Sequence, residues 1–186
     1  MSTVFVVSGP SGVGKSTILR RALEADAKLR FSVSHTTRAP RAGEQDGVDY
    51  HFLDAAAFLK RVQAGNFLEH ATVHGHSYGT LKSEVLGKLR SGKDVLLNVD
   101  VQGASTVRQR AEDDPELARA LVSVFLTPPS MKILEERLRR RGTDPEAVIQ
   151  KRLSVARSEI AQWKHFDYLL ISRSVAEDLT RMQAIV

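Results

Sequence analysis

The chain alternates short apolar runs with longer stretches whose apolar positions recur three and four residues apart. Val4–Ser8 is apolar up to its last residue, stops at Gly9-Pro10 and reads as a buried strand. Lys15–Ala25 reads as the helix that follows. Residues 95–100 give a second buried strand, bounded by Gly92 before it and Gln102-Gly103 after it. Residues 121–126 give a third, ended by Pro128-Pro129, and Tyr168–Ile171 a fourth. Helical periodicity occupies 104–111, 131–141, 146–163 and 175–185. This alternation predicts an α/β fold, a core of parallel strands with helices on both faces. There is no internal repeat, no low-complexity tract and no linker, so residues 1–186 read as a single domain.

Two stretches depart from the alternation. Residues 32–79 are richer in polar residues, His, Gly and aromatics, with short strand signals and one helical stretch near 54–63. They predict a mixed α+β insertion beside the sheet, the kind of element that carries specificity in doubly wound folds. Residues 128–144 form a helical stretch whose end carries Arg137, Arg139, Arg140 and Arg141 before Gly142.

Composition narrows the function classes. With 27 Lys+Arg against 22 Asp+Glu the formal net charge is +5, too modest and too mixed in sign to mark a nucleic-acid binder but suited to handling anions. Eighteen of those 27 cations are Arg, whose planar fork matches phosphate oxygens. The absence of cysteine excludes a disulfide framework, thiolate zinc sites and a cysteine nucleophile. No apolar run approaches the ~20 residues that span a bilayer, and the first residues lack a basic leader. A cytoplasmic protein with no membrane partner is therefore expected.

Gly9-Pro10-Ser11-Gly12-Val13-Gly14-Lys15-Ser16 matches the phosphate-loop pattern G-x-x-x-x-G-K-[ST], with a strand leading in and a helix leading out. The glycines let backbone N–H groups turn inward, and those amides with the helix N-terminus bind phosphate oxygens. Lys15 reaches the β- and γ-phosphates, and the Ser16 hydroxyl can ligate Mg²⁺. Residues 9–17, through Thr17, are thus the candidate ATP site. A bare turn would need neither the Lys nor the Ser. The loop implies a nucleoside triphosphate but says nothing of the phosphoryl acceptor.

Residues 31–52 (Phe-Ser-Val-Ser-His-Thr-Thr-Arg-Ala-Pro-Arg-Ala-Gly-Glu-Gln-Asp-Gly-Val-Asp-Tyr-His-Phe) closely resemble the guanylate kinases. Phe67-Leu68-Glu69, Tyr78-Gly79-Thr80 and Val99-Asp100-Val101-Gln102-Gly103 extend the likeness, in matching order and spacing. With the phosphate loop and the Arg-rich helix it covers nearly the whole chain. The resemblance implies phosphorylation of GMP and dGMP by ATP with Mg²⁺, giving ADP and GDP, in purine nucleotide metabolism. It also implies a core at about 1–33, 81–127 and 146–186, a GMP-binding insertion at about 34–80 and a lid at about 128–145.

Residue chemistry agrees with that expectation. Arg38 and Arg41 lie three apart in a Pro- and Gly-containing loop and can clamp a monoester phosphate. Tyr50 and Tyr78 can donate to the same phosphate or cover the base. Guanine offers N1–H and N2–H donors and an O6 acceptor. By resemblance Glu69 is the carboxylate for the donors and Ser34 the hydroxyl for O6, with Gly79 and Thr80 beside them. Adenine would leave Glu69 unpaired, and sites of this kind discriminate by roughly 10⁴. Residues 95–100 look like a Walker-B strand. Asp100 matches a family position near nucleotide and metal, while Asn98 stands where the family usually has a carboxylate. On a strand running through Asp100 the two side chains would share a face.

Phosphoryl transfer needs positioning and positive charge more than a base. Arg137 and Arg141, at i and i+4 on one helix, share a face, and the resemblance puts them in the lid over ATP with Arg152 on the next helix. The candidate catalytic set is therefore Lys15, Arg38, Arg137, Arg141 and Arg152. Arg139 and Arg140 are expected to be solvated. His70, His74 and His76 lack a third-ligand pattern for a metal, and Trp163 and Phe166 are expected in the core or an interface. Ile171-Ser172-Arg173-Ser174 departs from the family, which often has Asn and Asp there, near the adenine.

Three other readings cover less of the chain. A phosphokinase for ribose bisphosphate would not need Ser34, Glu69 and Thr80. The guanylate-kinase-like domains of scaffold proteins, which bind phosphopeptides, tend to lose the phosphate loop. An RNA binder using the Arg cluster would carry interleaved aromatics, and none is there. ATP and GMP are the expected partners, without nucleic acid, and a homo-oligomer is left open.

Overall fold

The computed structural model describes residues 2–73, 75–140, 142 and 144–186. Its first elements are β1 (Val4–Ser8), α1 (Lys15–Ala25), β2 (Leu29–Phe31), β3 (His35–Thr36), β4 (His51–Phe52) and α2 (Ala55–Gln63). There follow β5 (Phe67–Val73), β6 (His76–Leu81), α3 (Lys82–Arg90), β7 (Asp94–Asn98), α4 (Val101–Glu112) and α5 (Pro115–Ala120). The last are β8 (Leu121–Thr127), α6 (Met131–Arg140), α7 (Glu146–Ile160), a 3₁₀ turn (Ala161–His165), β9 (Tyr168–Ile171) and α8 (Val175–Gln183). One five-stranded sheet has the order β2-β7-β1-β8-β9, and a four-stranded sheet the order β4-β3-β6-β5. The β2–β7 and β8–β9 pairs are parallel, the second sheet mixed. This is the expected α/β class with a mixed insertion. Strand β1 is buried throughout and β7 is buried as far as Leu97, as continuous apolar runs in a parallel sheet require.

The described residues form two compact units. One comprises the chain up to Val6 with Lys28–Val122 and contains the whole mixed sheet. Its strands β5 and β6 form a hairpin, with Val73 opposite His76. The register shifts between Phe67 and Glu69, and Phe67, Leu68 and Glu69 are all buried. A bulge of this kind re-aims a side chain that strict alternation would place elsewhere. It leaves Glu69 opposite Thr80.

The other unit comprises Val7–Ala27 and Ser123–Val186. Helix α6 is started by the Ser130 hydroxyl, which accepts the Ile133 N–H at 3.2 Å. It buries Leu134 and Leu138, one turn apart, against Ile149, Leu153 and Ala156 of α7. Helix α8 opens with a capping box between Ser174 and Glu177.

Several boundaries differ from the sequence reading. Strand β7 ends at Asn98, and Asp100 is the N-cap of α4, its Oδ1 accepting the Gly103 N–H at 2.9 Å. Asn98 and Asp100 therefore do not share a strand face. A short Asx-type cap had outcompeted one more residue of ladder. Helices α3 and α5 and strand β2 carried too few periodic positions to stand out. The helix expected to reach residue 163 ends at Ile160, and Trp163 on the 3₁₀ turn is 47% exposed, which excludes the core and leaves the interface half of its expectation. Phe166 does pack, against Phe125 at 5.0 Å between ring centres.

Candidate active site

Within the second unit the chain leaves β1 into the phosphate loop. Gly9 has φ 141°, and a Cβ there would lie 2.0 Å from the Leu126 carbonyl oxygen. No other residue fits so close to β8. Gly14, in the left-handed region, precedes α1, whose first turn has no side-chain cap and no acid. Its leading amides are left for an anion. The Lys15 ammonium curls back over the loop, donating to the carbonyls of Gly9 and, at 3.2 Å, Pro10. Ser16 and Thr17 are exposed at the start of α1, and Val13 is buried beneath the loop.

Arginines of the same unit attach to this loop. Arg137 Nη1 donates to the Val13 carbonyl at 2.8 Å and to Ser172 Oγ at 3.0 Å, and Nη2 to the Arg173 carbonyl at 3.3 Å. Arg152 Nη1 donates to Ser11 Oγ at 3.3 Å and Nη2 to Asp144 at 3.1 Å. Its buried Nε has no partner among the described residues and remains a donor for a ligand oxygen. Arg139 is exposed and ion-paired to Glu135 and Glu146, and Arg140 is exposed too. Arg141 and His74 lie outside the described residues. The described residues hold no cluster of three or more His, Asp or Glu able to grip a metal.

Within the first unit a buried chain of polar groups crosses the mixed sheet. Thr80 Oγ1, fully buried, donates to Glu69 Oε1 at 2.6 Å, and Ser34 Oγ lies 3.4 Å from Thr80 Oγ1. Glu69 is 3% exposed. Burial pushes its carboxyl up to about 7; the bonds from Thr80 oppose the rise, and the Asp100 charge adds to it. A Cβ on Gly103 would come within 2.6 Å of Glu69 Oε2. Only glycine in the first turn of α4 lets that carboxylate lie against the helix. Gly79 is buried beside Phe67 in the same hairpin, and Asn98 ends β7 half-buried.

The second cluster of this unit centres on Arg38, 8% exposed. Its Nη2 donates to both Glu44 oxygens, at 2.8 and 2.9 Å, and Nη1 to the Ala39 carbonyl at 2.6 Å. Its guanidinium carbon sits 5.4 Å from the Tyr50 ring centre, and the Tyr50 and Tyr78 rings meet edge-on at 5.9 Å. Glu44 also accepts the Arg41 N–H at 2.8 Å, while the Arg41 side chain is exposed. Burial works against the Glu44 charge, but that N–H and the Arg38 guanidinium hold its carboxyl below the usual range. Burial, with Tyr78 adding to it, raises the Tyr50 phenol, so it stays a donor.

The guanylate kinase family model matches residues 1–186. The chain belongs to the guanylate kinase family. It is 44% identical over 184 residues to the guanylate kinase of Alcanivorax borkumensis, covering 99% of this chain and 86% of that protein. With the guanylate kinase of Sphingopyxis alaskensis it shares 48% over 183 residues, 98% of this chain and 80% of that one. The crystal structure of guanylate kinase from Anaplasma phagocytophilum superposes with a TM-score of 0.79 at 33% identity, over 99% of this chain and 84% of the other.

Sequence reasoning left Glu44, Gly103 and the Ser172 hydroxyl without roles. Glu44 and Gly103 stand inside the recognised motifs, where an acid three residues after Arg41 and a glycine three after Asp100 were visible signals. The Ser172 bond to Arg137 spans 35 positions, and no local pattern announces it.

Proposed function

We propose that this chain transfers the γ-phosphoryl group of ATP to GMP and dGMP, releasing ADP and forming GDP or dGDP. The observation that carries the reading is the buried Ser34–Thr80–Glu69 chain in a protein whose phosphate loop is intact. Ionised Glu69 accepts guanine N1–H and N2–H, and the Ser34 hydroxyl donates to O6. AMP would leave the carboxylate buried without a partner. Arg38, Arg41, Tyr50 and Tyr78 hold the acceptor phosphate, with Gly79, Asn98 and Asp100 completing the GMP side.

On the ATP side, residues 9–17 wrap the phosphates. An oxygen of the GMP phosphate attacks the γ-phosphorus as the bond to the bridging oxygen of ADP breaks. Lys15, Arg38, Arg137 and Arg152 offset the charge on the moving group. Arg141 is assigned to the same task on the family resemblance alone. When bound with ATP, Mg²⁺ would supply further charge neutralisation on the phosphates. The exposed Ser16 hydroxyl is an oxygen ligand of the kind it takes, and Asp100 is the carboxylate assigned to it. We assign residues 34–80 to GMP binding and 128–145 to a lid, and the protein to the cytoplasm. Among the described residues no helix is long and apolar enough to cross a membrane.

The test is a coupled ADP-release assay with ATP and each of the four ribonucleoside monophosphates. GMP should turn over alone. Equal turnover of AMP would overturn the role of Glu69, and no turnover of any would overturn the reaction.

A further inference from the structure

Asp178 is 2% exposed on α8, and the phosphate chemistry above gives it nothing to do. Buried carboxylates persist where they are bonded, and this one is bonded on both oxygens. Oδ1 accepts the Arg173 N–H at 2.8 Å, and Oδ2 accepts the Ser172 hydroxyl at 2.8 Å. Ser172 is itself 3% exposed and accepts from Arg137 Nη1 at 3.0 Å. A serine hydroxyl has one proton. The charged Asp178 oxygen at 2.8 Å takes it in preference to the Val13 carbonyl at 3.4 Å, which leaves the oxygen lone pairs turned toward Arg137. The chain therefore runs in one direction, from guanidinium to hydroxyl to carboxylate, and each bond polarises the next. The same guanidinium holds the Val13 carbonyl inside the phosphate loop. Asp178 also takes the amide of Arg173, whose carbonyl accepts Arg137 Nη2.

We infer that Asp178 is a positioning residue for ATP: acting through Ser172, it fixes the Arg137 guanidinium against the phosphate loop. It touches no substrate. The inference rests on the assignment of Arg137 to the ATP phosphates. It also accounts for the serine at position 172. A short hydroxyl reaches both a buried acid on α8 and the arginine, so the orientation of Arg137 here depends on a carboxylate six residues beyond that serine.

The experiment is a double-mutant cycle between Asp178→Asn and Arg137→Ala, reading kcat and KM for ATP and for GMP separately. Asparagine keeps the shape and the bond to the Arg173 N–H, but its amide donates to Ser172 and turns the serine proton away. Asp178→Asn alone should lower kcat/KM for ATP about tenfold, the size of a coupling within one network. The KM for GMP should stay within twofold. In the Arg137→Ala background the same change should cost less than twofold, because its target has gone. An equal loss in both backgrounds, or an equal loss for both substrates, would overturn the inference by making Asp178 merely structural. An Arg137→Ala enzyme with unchanged ATP kinetics would instead overturn the assignment of Arg137, a separate failure. If Asp178→Asn does not give a folded protein by thermal melting, Ser172→Ala takes its place in the cycle with the same two outcomes.

Discussion

The phosphate loop and the cluster proposed to read guanine are built for recognition by opposite means. The loop is built from backbone. Its glycines set where the chain turns, the first turn of α1 has no side-chain cap, and its lysine rests on loop carbonyls. The guanine cluster is built from side chains on different strands, Ser34 before β3, Glu69 on β5 and Thr80 on β6. Backbone amides do not titrate and do not vary with sequence, so the loop reads charge alone and its positive field is permanent. Side-chain pairs distinguish one base from another, but they require a buried acid whose ionisation is costly. One region is robust and indifferent to the base. The other is selective and sensitive to pH.

The largest effect should come from the one loop side chain that backbone cannot replace. Lys15→Ala is expected to lower kcat by at least about a hundredfold, as loss of a charge-stabilising donor does elsewhere. The thermal midpoint should hardly move, since Lys15 is the first residue of α1 and lies outside the core. Turnover near wild type would mean that the amides suffice and that the contrast between the regions is overdrawn.

Glu69→Gln should come next. It puts an amide that also donates against the donors of guanine, and should raise the KM for GMP about 10- to 100-fold, the weight of a hydrogen bond to a charged group. The KM for ATP should stay put. Stability should hold or rise, because burying a carboxylate at 3% exposure opposes folding at neutral pH. Equal losses for both substrates would make Glu69 structural.

A smaller effect follows from the titration of the same group. Its carboxyl is raised from 4.5 to about 7, so the free site is largely protonated below that pH and ionised above it. A neutral acid cannot accept both guanine donors. GMP must therefore expel the proton, and apparent affinity falls as pH drops through 7 and levels off above it. The KM for GMP should rise about tenfold between pH 8 and pH 6 by this linkage. The GMP phosphate titrates in the same range, so the diagnostic is the difference from Glu69→Gln, whose profile should lack this component. Identical profiles would mean that Glu69 is already ionised in the free protein.

The contrast also explains what could be read without coordinates. A backbone site needs its glycines and lysine contiguous, so residues 9–16 announce themselves. Apart from β2, the strands of the parallel sheet were legible for a similar reason, as unbroken apolar runs. A side-chain site is assembled from distant positions, and Ser34, Glu69 and Thr80 were legible only through the family likeness of the segments that carry them. The bulge that brings Glu69 opposite Thr80 has no sequence marker. Nor has the dependence of Arg137 on Ser172 and Asp178, which is set by how α8 follows β9. Asp100 misled for a local reason. An Asp after an apolar run reads as a strand end, whereas its carboxylate satisfies the Gly103 amide at the start of α4.

The smallest expected effect tests the selective region where this chain departs from its family. Asn98 ends β7 half-buried, at a position where the resemblance leads one to expect a carboxylate. An amide oxygen is neutral and accepts a weaker bond than a charged one. Asn98→Asp should therefore tighten GMP by about 0.5–1.5 kcal/mol, the net worth of one hydrogen bond. Opposing this is charge. Glu69 is already raised by burial and by Asp100, and a carboxylate at position 98 placed against the same base would raise it further and favour its neutral form. Strand alternation no longer sets Asn98 and Asp100 side by side, because the strand stops between them and Asp100 turns to cap α4. That correction weakens the repulsive side of the balance and favours the gain. The two effects separate with pH. Well above pH 8 Glu69 should be ionised even with the added carboxylate, and the new acceptor should then show as tighter binding. Near pH 6.5 the raised carboxyl should cancel it. Titration calorimetry of GMP into both proteins at the two pH values decides. Weaker binding at both would mean that the neutral amide is itself fitted to the base, so that this chain reads guanine with one charge fewer by design of its site rather than by loss.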